Sequence, residues 1–408
     1  MDPRRDTLVK HILNRDTLLK SLEHSDIVDL FLINVDNFSN YNSTYGYEVG
    51  DILLHRVADL IEISKPENMQ LYRVSSDEFA LLGDGRLSQK RIDEIASSMI
   101  SFFDQMSIDI DAELSVNVSI SMGIATGMGK SLLTNAKEAL EELREYSRGS
   151  YNIYDENSEF IKKQHENYFW INQLKRAFEL EKIEPFFQPI LNNETKKVEK
   201  FEALARIIDD GSIVPPIRFL EASKLTGTLS LVTRVMIEHS FRVFSGTNYS
   251  VSINITNMDL HLGHLESLLL KYATKYGIKP SNVILEMLED IESLNSKDTL
   301  DQLYSLRSHG FKIAIDDFGS RSSNLSRLLD FSPDFIKIDG SFIKNILSDK
   351  KSQTIVESIV FLCKKSGIDV VAEFVHSKEV QDRVLSLGIK YSQGYYIGEP
   401  KQTIDNFI

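Results

Sequence analysis

The run KIAIDDFGSR, from Lys312 to Arg321, sets two carboxylates, Asp316 and Asp317, directly after a β-branched apolar stretch. Folding gains nothing from unpaired charge beside a core, because an ionised carboxylate is costly to desolvate unless a cation meets it. Other apolar runs in the same half of the chain end alike. Taking the last polar residue of each candidate strand gives Gln188 in EPFFQPIL, Glu202 in VEKFEALAR, Asn254 in SVSINIT and Glu286 in NVILEMLE. It then gives Asp316 and Asp317, Lys337 and Asp339 in FIKID, Glu373 in DVVAEF, and Gln393 in SQGYYI. Any one such acid is ordinarily a turn former or the cap of the next helix. Several converging carboxylates need another reason, since neither turns nor caps gather them. Oxygen donors without nearby His or Cys suit Mg²⁺ or Mn²⁺ better than zinc. Bridging acids suit two such ions, which together hold the attacking and leaving oxygens of a phosphodiester displacement. Lys337 would add a point charge beside the phosphate or the water. Its spacing from Asp339 equally suits an ordinary ion pair, because strand residues two apart share a face.

Converging strand ends require a barrel. From about Glu184 onward, strands alternate with amphipathic helices such as HLESLLLKYATKYG, DTLDQLYSLRSHG and KSQTIVESIVFLCKKSG, each followed by a glycine stop. About eight strands with intervening helices predict a (β/α)8 barrel whose chemistry sits at the C-terminal rim. The earlier part mixes helices with the apolar runs DIVDLFLINVD, QLYRVSSDEFALLG and LSVNVSISMGIATG, an α/β pattern in which LYRV and FALLG flank a polar hairpin turn. The charged segment YDENSEFIKKQHENYFWINQ predicts a connecting amphipathic helix. The expected organisation is an α/β chain with one domain over 1–155, a linker helix over 156–172 and the barrel over 173–408.

At 408 residues the chain exceeds one ordinary hydrophobic core, consistent with two domains. A formal net charge of -14 argues against DNA or anionic lipid as a nonspecific partner. An anionic ligand would need metal ions or a few placed cations. Cys363 is the one cysteine, so no internal disulfide forms and a reducing compartment is expected; its helical setting reads as a packed thiol. The start has charges but no apolar signal core, and no stretch approaches the roughly 20 apolar residues a bilayer needs. A soluble cytoplasmic protein without membrane insertion is expected.

FEALAR, from Phe201 to Arg206, resembles the motif that names the EAL phosphodiesterases of cyclic di-GMP. FFQPIL, INIT, LEMLE, IDDFG, PDFIKID, VVAEF and SQGYYIG follow in that family's order, so the resemblance covers about 165 to 408. It implies metal binding by Glu202, Asn254, Glu286, Asp316 and Asp317, with Asp339 completing the metal and water site. It implies water activation by Lys337 and Glu373, the latter also near a metal. Gln188, Leu204, Arg206 and Gln393 would contact the dinucleotide, Arg206 through its fork of donors. Glu289 matches a position supporting the loop after the paired aspartates. That loop departs from the family's DDFGTGYSSL, reading DDFGSRSSNL with Ser320, Arg321 and Ser322 in place of Thr, Gly and Tyr. The family's AEGVE is here AEFVH, with Phe374 for Gly and His376 for Glu. The implied reaction is hydrolysis of cyclic di-GMP to linear pGpG with two Mg²⁺ or Mn²⁺ ions, in a homodimer. The alternative is a receptor that captures the dinucleotide and signals to a partner without turnover.

The first domain resembles the GGDEF diguanylate cyclases, with SSDEF, Ser75 to Phe79, at the hairpin tip. The family's two glycines let the turn approach a triphosphate, and Ser75 and Ser76 add side chains there. Loss of cyclase activity is therefore expected. Asp36 and Asp77 match the metal-binding acids, Glu78 the third acid of the signature, Asn42 and Asp51 the guanine contacts, and Arg144 stands in place of a phosphate-binding Lys. These positions imply a GTP-binding regulator, with a scaffold that binds nothing as the alternative. The inhibitory RxxD pair falls on Pro66 and Met69, so product inhibition of that kind is not expected.

Overall fold

Runs such as VDLFLINV and VILEML are mostly apolar on both alternating faces, which suits strands covered on both sides. A computed structural model describes residues 2, 4–209, 211–261, 263–288, 296–319 and 331–404 and divides the chain into two units, 1–165 and 166–408. The segment expected to link domains is helical from Glu159 to Glu179.

In the first unit, strands β1 (Leu13–Asn14), β2 (Val28–Val35), β3 (Gln70–Arg73), β4 (Glu78–Leu82), β7 (Ile120–Gly127) and β8 (Tyr151–Ile153) form one sheet, and β5 (Ser107–Asp109) pairs with β6 (Ser115–Asn117). The sheet order is β1-β3-β4-β2-β7-β8. Central β2 is buried throughout and alternates between two cores. Phe31, Ile33 and Val35 pack with Leu53, Val57, Ile92 and Met99 of helices Tyr47–Ser64 and Gln89–Asp104. Val28, Leu30 and Leu32 pack with Leu18, Leu132, Ala136 and Leu140 of helices Arg15–Glu23 and Ser131–Tyr146. The expected hairpin is present, with Arg73 opposite Phe79 and the SSDE turn between them.

In the second unit, β9 (Ile183–Asn192), β10 (Lys197–Asp209), β12 (Ser250–Asn254), β13 (Val283–Leu288), β14 (Lys312–Phe318), β15 (Phe335–Ile338), β16 (Asp369–Ala372) and β17 (Tyr391–Gln393) close into a barrel, with β11 (Ser212–Val214) folded onto β10. The strands from β10 and β12 to β17 pair in parallel as expected. Strand β9 does not. It joins β10 through a tight turn without a helix and runs antiparallel to both β10 and β17. Gln188 and Glu202 are therefore not strand ends. They face each other in register within a long hairpin whose far end extends to β11.

Strand periodicity stacks the interior in layers. Ile190, Ile284, Ala314, Phe335, Val371 and Tyr391 form an apolar cluster inside the barrel. Two residues along each of those strands, on the same face, stand Gln188, Glu286, Asp316, Lys337, Glu373 and Gln393. The polar layer thus rests on a floor of packed hydrocarbon.

Close approach of β7 to its helix requires Gly123, where a Cβ would lie 2.0 Å from the Ala136 carbonyl oxygen and 2.6 Å from the Leu140 nitrogen. Gly123→Ala should destabilise the first unit by about 1–3 kcal/mol, seen as a lower urea midpoint for its transition. An unchanged midpoint would contradict this packing.

Candidate active site

Lys337 organises the barrel mouth. Its side chain lies within the barrel and is 1 % exposed. Its Nζ is 2.8 Å from Glu286 Oε2, 2.8 Å from Glu373 Oε1, 3.1 Å from Asp316 Oδ1 and 3.2 Å from Glu202 Oε2. Those partners come from four other strands or strand ends. Among the described residues Lys337 makes no ion pair with Asp339, the partner its spacing also allowed. Asp339 instead caps the helix Gly340–Lys344, accepting from the Ser341 backbone N–H at 2.7 Å.

A β-bulge gives the mouth a fifth carboxylate. Ile315 pairs with Ile336 and Phe318 with Ile338, so Asp316 and Asp317 together oppose Lys337. Asp317 adopts φ 54°, a conformation that costs a non-glycine residue about 1–3 kcal/mol and is commonest at functional sites. Hydrogen bonds fix the rest. Gln393 Nε2 donates to Glu202 Oε2 at 2.7 Å and to Gln188 Oε1 at 3.2 Å, and Asn254 Nδ2 donates to Glu202 Oε1 at 3.0 Å.

With every group ionised, the four acids around Lys337 would leave three uncompensated negative charges, before Asp317 is added. The apolar floor makes that expensive. Burial pushes the Glu286 carboxyl up to about 8, against the attraction of Lys337. Burial likewise holds Glu373 well above the usual carboxylate range, and burial together with Asp316 raises Asp317. Glu202 is the exception. Burial pushes it up, but Lys337 and the donors on Gln393 and Asn254 bring it below its ordinary value. Lys337 is opposed by its own burial yet held well above the ordinary lysine range by Asp316, Glu202, Glu286 and Glu373.

The arrangement fits divalent cations. Two carboxylate triads, Glu202–Glu286–Asp316 and Asp316–Asp317–Glu373, each bring oxygens within 4.8 Å of one another, and Asp316 belongs to both. All donors are oxygens, as hard ions prefer. Glu202, Asp316, Asp317 and Glu373 line a cleft of about 440 Å³ together with Gln188, Leu204, Arg206 and Gln393. Arg206 bonds the Ala205 carbonyl and has no carboxylate within ion-pair reach among the described residues, which leaves its guanidinium available to an anion. The cleft also includes Phe374, His376, Gly394, Tyr395 and Pro400. Gly394, Tyr395 and Pro400 carry no sequence signal of their own and enter through the path of the chain after β17. Glu289 and the Ser320–Ser322 loop lie outside the described residues.

The acids of the first unit are arranged differently. Asp36 is buried and accepts from Ser119 Oγ at 2.9 Å, Ser121 Oγ at 2.8 Å and the Gly149 N–H at 3.1 Å. At the SSDEF turn, Ser75 Oγ donates to Glu78 at 3.0 Å and Ser76 Oγ to Asp77 at 2.8 Å. Arg144 donates to Asn34 at 2.7 Å and stands 3.9 Å from Glu78. Asn42 Oδ1 is buried without a hydrogen-bond partner among the described residues, beside Gly50 and next to exposed Asp51. Among the described residues no metal-sized acidic group forms in this unit.

The family model for the EAL domain matches residues 171–400, and that for the diguanylate cyclase GGDEF domain matches residues 8–150. The chain belongs to the EAL domain family. Its two units are a GGDEF domain followed by an EAL domain. The chain is 27% identical over 383 residues to cyclic di-GMP phosphodiesterase PdeB of Shewanella oneidensis, covering 90% of this chain and 44% of that protein. It spans about half the length of the curated relatives it matches. Among solved structures, the PaMucR phosphodiesterase in complex with c-di-GMP aligns with a TM-score of 0.56 and 23% identity, over 59% of this chain and 100% of that one. The S helix-GGDEF-EAL portion of Vibrio cholerae LapD, bound to c-di-GMP, aligns with a TM-score of 0.52 and 18% identity, over 97% of this chain and 96% of that one. At those identities both likenesses show the fold. No helix among the described residues is long and apolar enough to cross a membrane.

The raised carboxyls of the EAL domain set a pH dependence. Between the ordinary 4.5 and about 8, folded Glu286 holds a proton that the unfolded chain has lost, and Glu373 and Asp317 act in the same sense. Stability of the ion-free protein should therefore fall as pH rises through that window. Lys337, raised, and Glu202, lowered, change stability outside it. Thermal melts after chelation should show a lower melting temperature at pH 8.5 than at pH 6, with Mn²⁺ restoring most of the loss at the higher pH. A melting temperature that rises over that range, or ignores the ion, would contradict the assignment.

Proposed function

We propose that the EAL domain hydrolyses one phosphodiester bond of cyclic di-GMP, giving linear pGpG, and that the GGDEF domain does not cyclise GTP. The observation that carries the first part is the pair of carboxylate triads sharing Asp316, set beside an arginine that has no carboxylate in ion-pair reach among the described residues. Glu202, Asn254, Glu286, Asp316, Asp317 and Glu373 would hold two divalent ions, Mg²⁺ or Mn²⁺, which when bound polarise the phosphate and acidify water. Asp339, committed to its helix cap, would act on the site through its negative charge beside Asp317.

The chain's own groups then divide the work. Arg206 holds the phosphate by its fork of donors, while Gln188, Leu204 and Gln393 contact the dinucleotide. Glu373 takes the proton of the attacking water, a task suited to a carboxyl whose proton affinity burial holds well above the usual carboxylate range. Lys337 fixes Glu373, Glu202 and Glu286 in one geometry and offsets part of their charge. A serine at each glycine position of the signature supports a silent cyclase, since the Ser75 and Ser76 hydroxyls occupy Glu78 and Asp77 and their side chains stand where glycine would leave the backbone open. Asn42 and Asp51 would then hold guanine in a GTP-binding regulator of the neighbouring domain's activity.

Product analysis of the full chain with cyclic di-GMP, with and without GTP, tests this reading. Linear pGpG should form with Mg²⁺ or Mn²⁺ and not after chelation, faster or slower when GTP is present, and GTP alone should give no cyclic product. Glu373→Gln should lower kcat by about 10²–10⁴-fold. Binding of the dinucleotide without any product from ion-loaded wild type would instead support the receptor. A rate indifferent to millimolar GTP would remove the regulator.

A further inference from the structure

The cleft presents an aromatic side chain that none of these steps uses. We propose that Phe374 is a stacking platform for one purine base of the dinucleotide and that Gly340 exists to hold its ring in place. The proposal rests on the reading of this cleft as a dinucleotide site.

Phe374 directly follows Glu373 and adopts φ 53°, in the left-handed region that disfavours any residue with a Cβ. Burial gives no return for that strain, because the residue is 65% exposed. A large apolar side chain in a strained backbone, left facing water on a cleft wall, therefore serves something other than folding. Its orientation is nonetheless fixed. A Cβ on Gly340 would lie 2.0 Å from Phe374 Cδ2, 2.6 Å from Cγ and 2.7 Å from Cε2, and these are its three nearest atoms. Gly340 opens a helix and its φ lies outside the left-handed region, so the backbone there has no need of glycine. The ring is what requires it.

The segment that carries the ring is locked. The Val375 N–H donates to the Gln393 carbonyl at 2.9 Å, and the Tyr396 N–H donates to the Val375 carbonyl at 3.0 Å. Gly394 permits that crossing, since a Cβ there would lie 2.2 Å from the Val375 oxygen. Val375 is fully buried, so its neighbour Phe374 is anchored from beneath. Phe374 and Tyr395 thus stand on the wall of the cleft that also holds Glu373 and Arg206. A nucleotide whose phosphate meets Arg206 and the acids has its base within the same cleft, and an aromatic ring pinned on one side offers the rest of its surface to a base. Base–aromatic stacking of this kind changes affinity by roughly 5- to 150-fold per base.

Affinity for cyclic di-GMP is measured on the full chain with Mg²⁺, in a Glu373→Gln background that blocks turnover. Phe374→Gly should bind about ten-fold or more weakly while melting no lower than its parent, since glycine relieves the left-handed strain. Gly340→Ala should displace the ring and weaken binding similarly, with no further loss when combined with Phe374→Gly. Phe374→Trp in a Trp170→Phe background leaves one tryptophan, whose fluorescence cyclic di-GMP should quench and ribose 5-phosphate should not. Equal affinity of Phe374→Gly and its parent would overturn the platform and leave the ring as a surface for a protein partner. Failure of the parent itself to bind would overturn the dinucleotide reading instead.

Discussion

One ammonium buried among four carboxylates is the constraint on which the barrel mouth depends. Lys337 reaches Glu202, Glu286, Asp316 and Glu373 at 2.8–3.2 Å, tying strands that are far apart in sequence. A single cation cannot neutralise them all, and the low-dielectric floor beneath leaves little water to help. In the ion-free protein burial raises the proton affinity of Glu286 and Glu373, which acts to lessen that excess. A divalent ion bound there would replace those protons, which would link metal affinity, proton release and stability through one cluster.

The floor and the cluster are two consequences of the same strand periodicity. Phe335 and Lys337 occupy one face of β15, Ile284 and Glu286 one face of β13, and Tyr391 and Gln393 one face of β17. Each strand contributes first a hydrocarbon and then a polar group. The bulge at Asp316 and Asp317 breaks that alternation once, at the cost of a strained φ, and gains an additional carboxylate. Helices packed outside the barrel, through residues such as Phe241, Leu269 and Val356, keep the layers in register.

Much of this was legible in the chain. Acids following apolar runs, joined by amphipathic helices, imply a barrel rim, and four of them, Glu202, Glu286, Asp316 and Glu373, stand around Lys337. The antiparallel course of β9 was not legible, because apolar runs such as EPFFQPIL carry no sign of strand direction and the short connection NNETKK was the one cue. Nor was the bulge, since a register shift depends on the partner strand and leaves no mark in IDDF. Asp339 shows the limit of reading residue type alone. Its sequence position suits a ligand, a lysine partner and a helix cap, and the third is the one whose bonds are formed. Phe374 was visible as a departure from the family's glycine, but its fit against Gly340 is a property of three dimensions.

Anomalous diffraction from crystals soaked in Mn²⁺ tests the central claim most directly. The account predicts two peaks that share Asp316, one bounded by Glu202 and Glu286 and the other by Asp317 and Glu373. Crystals that leave the cluster free of manganese, with the four Lys337 contacts intact, would contradict it.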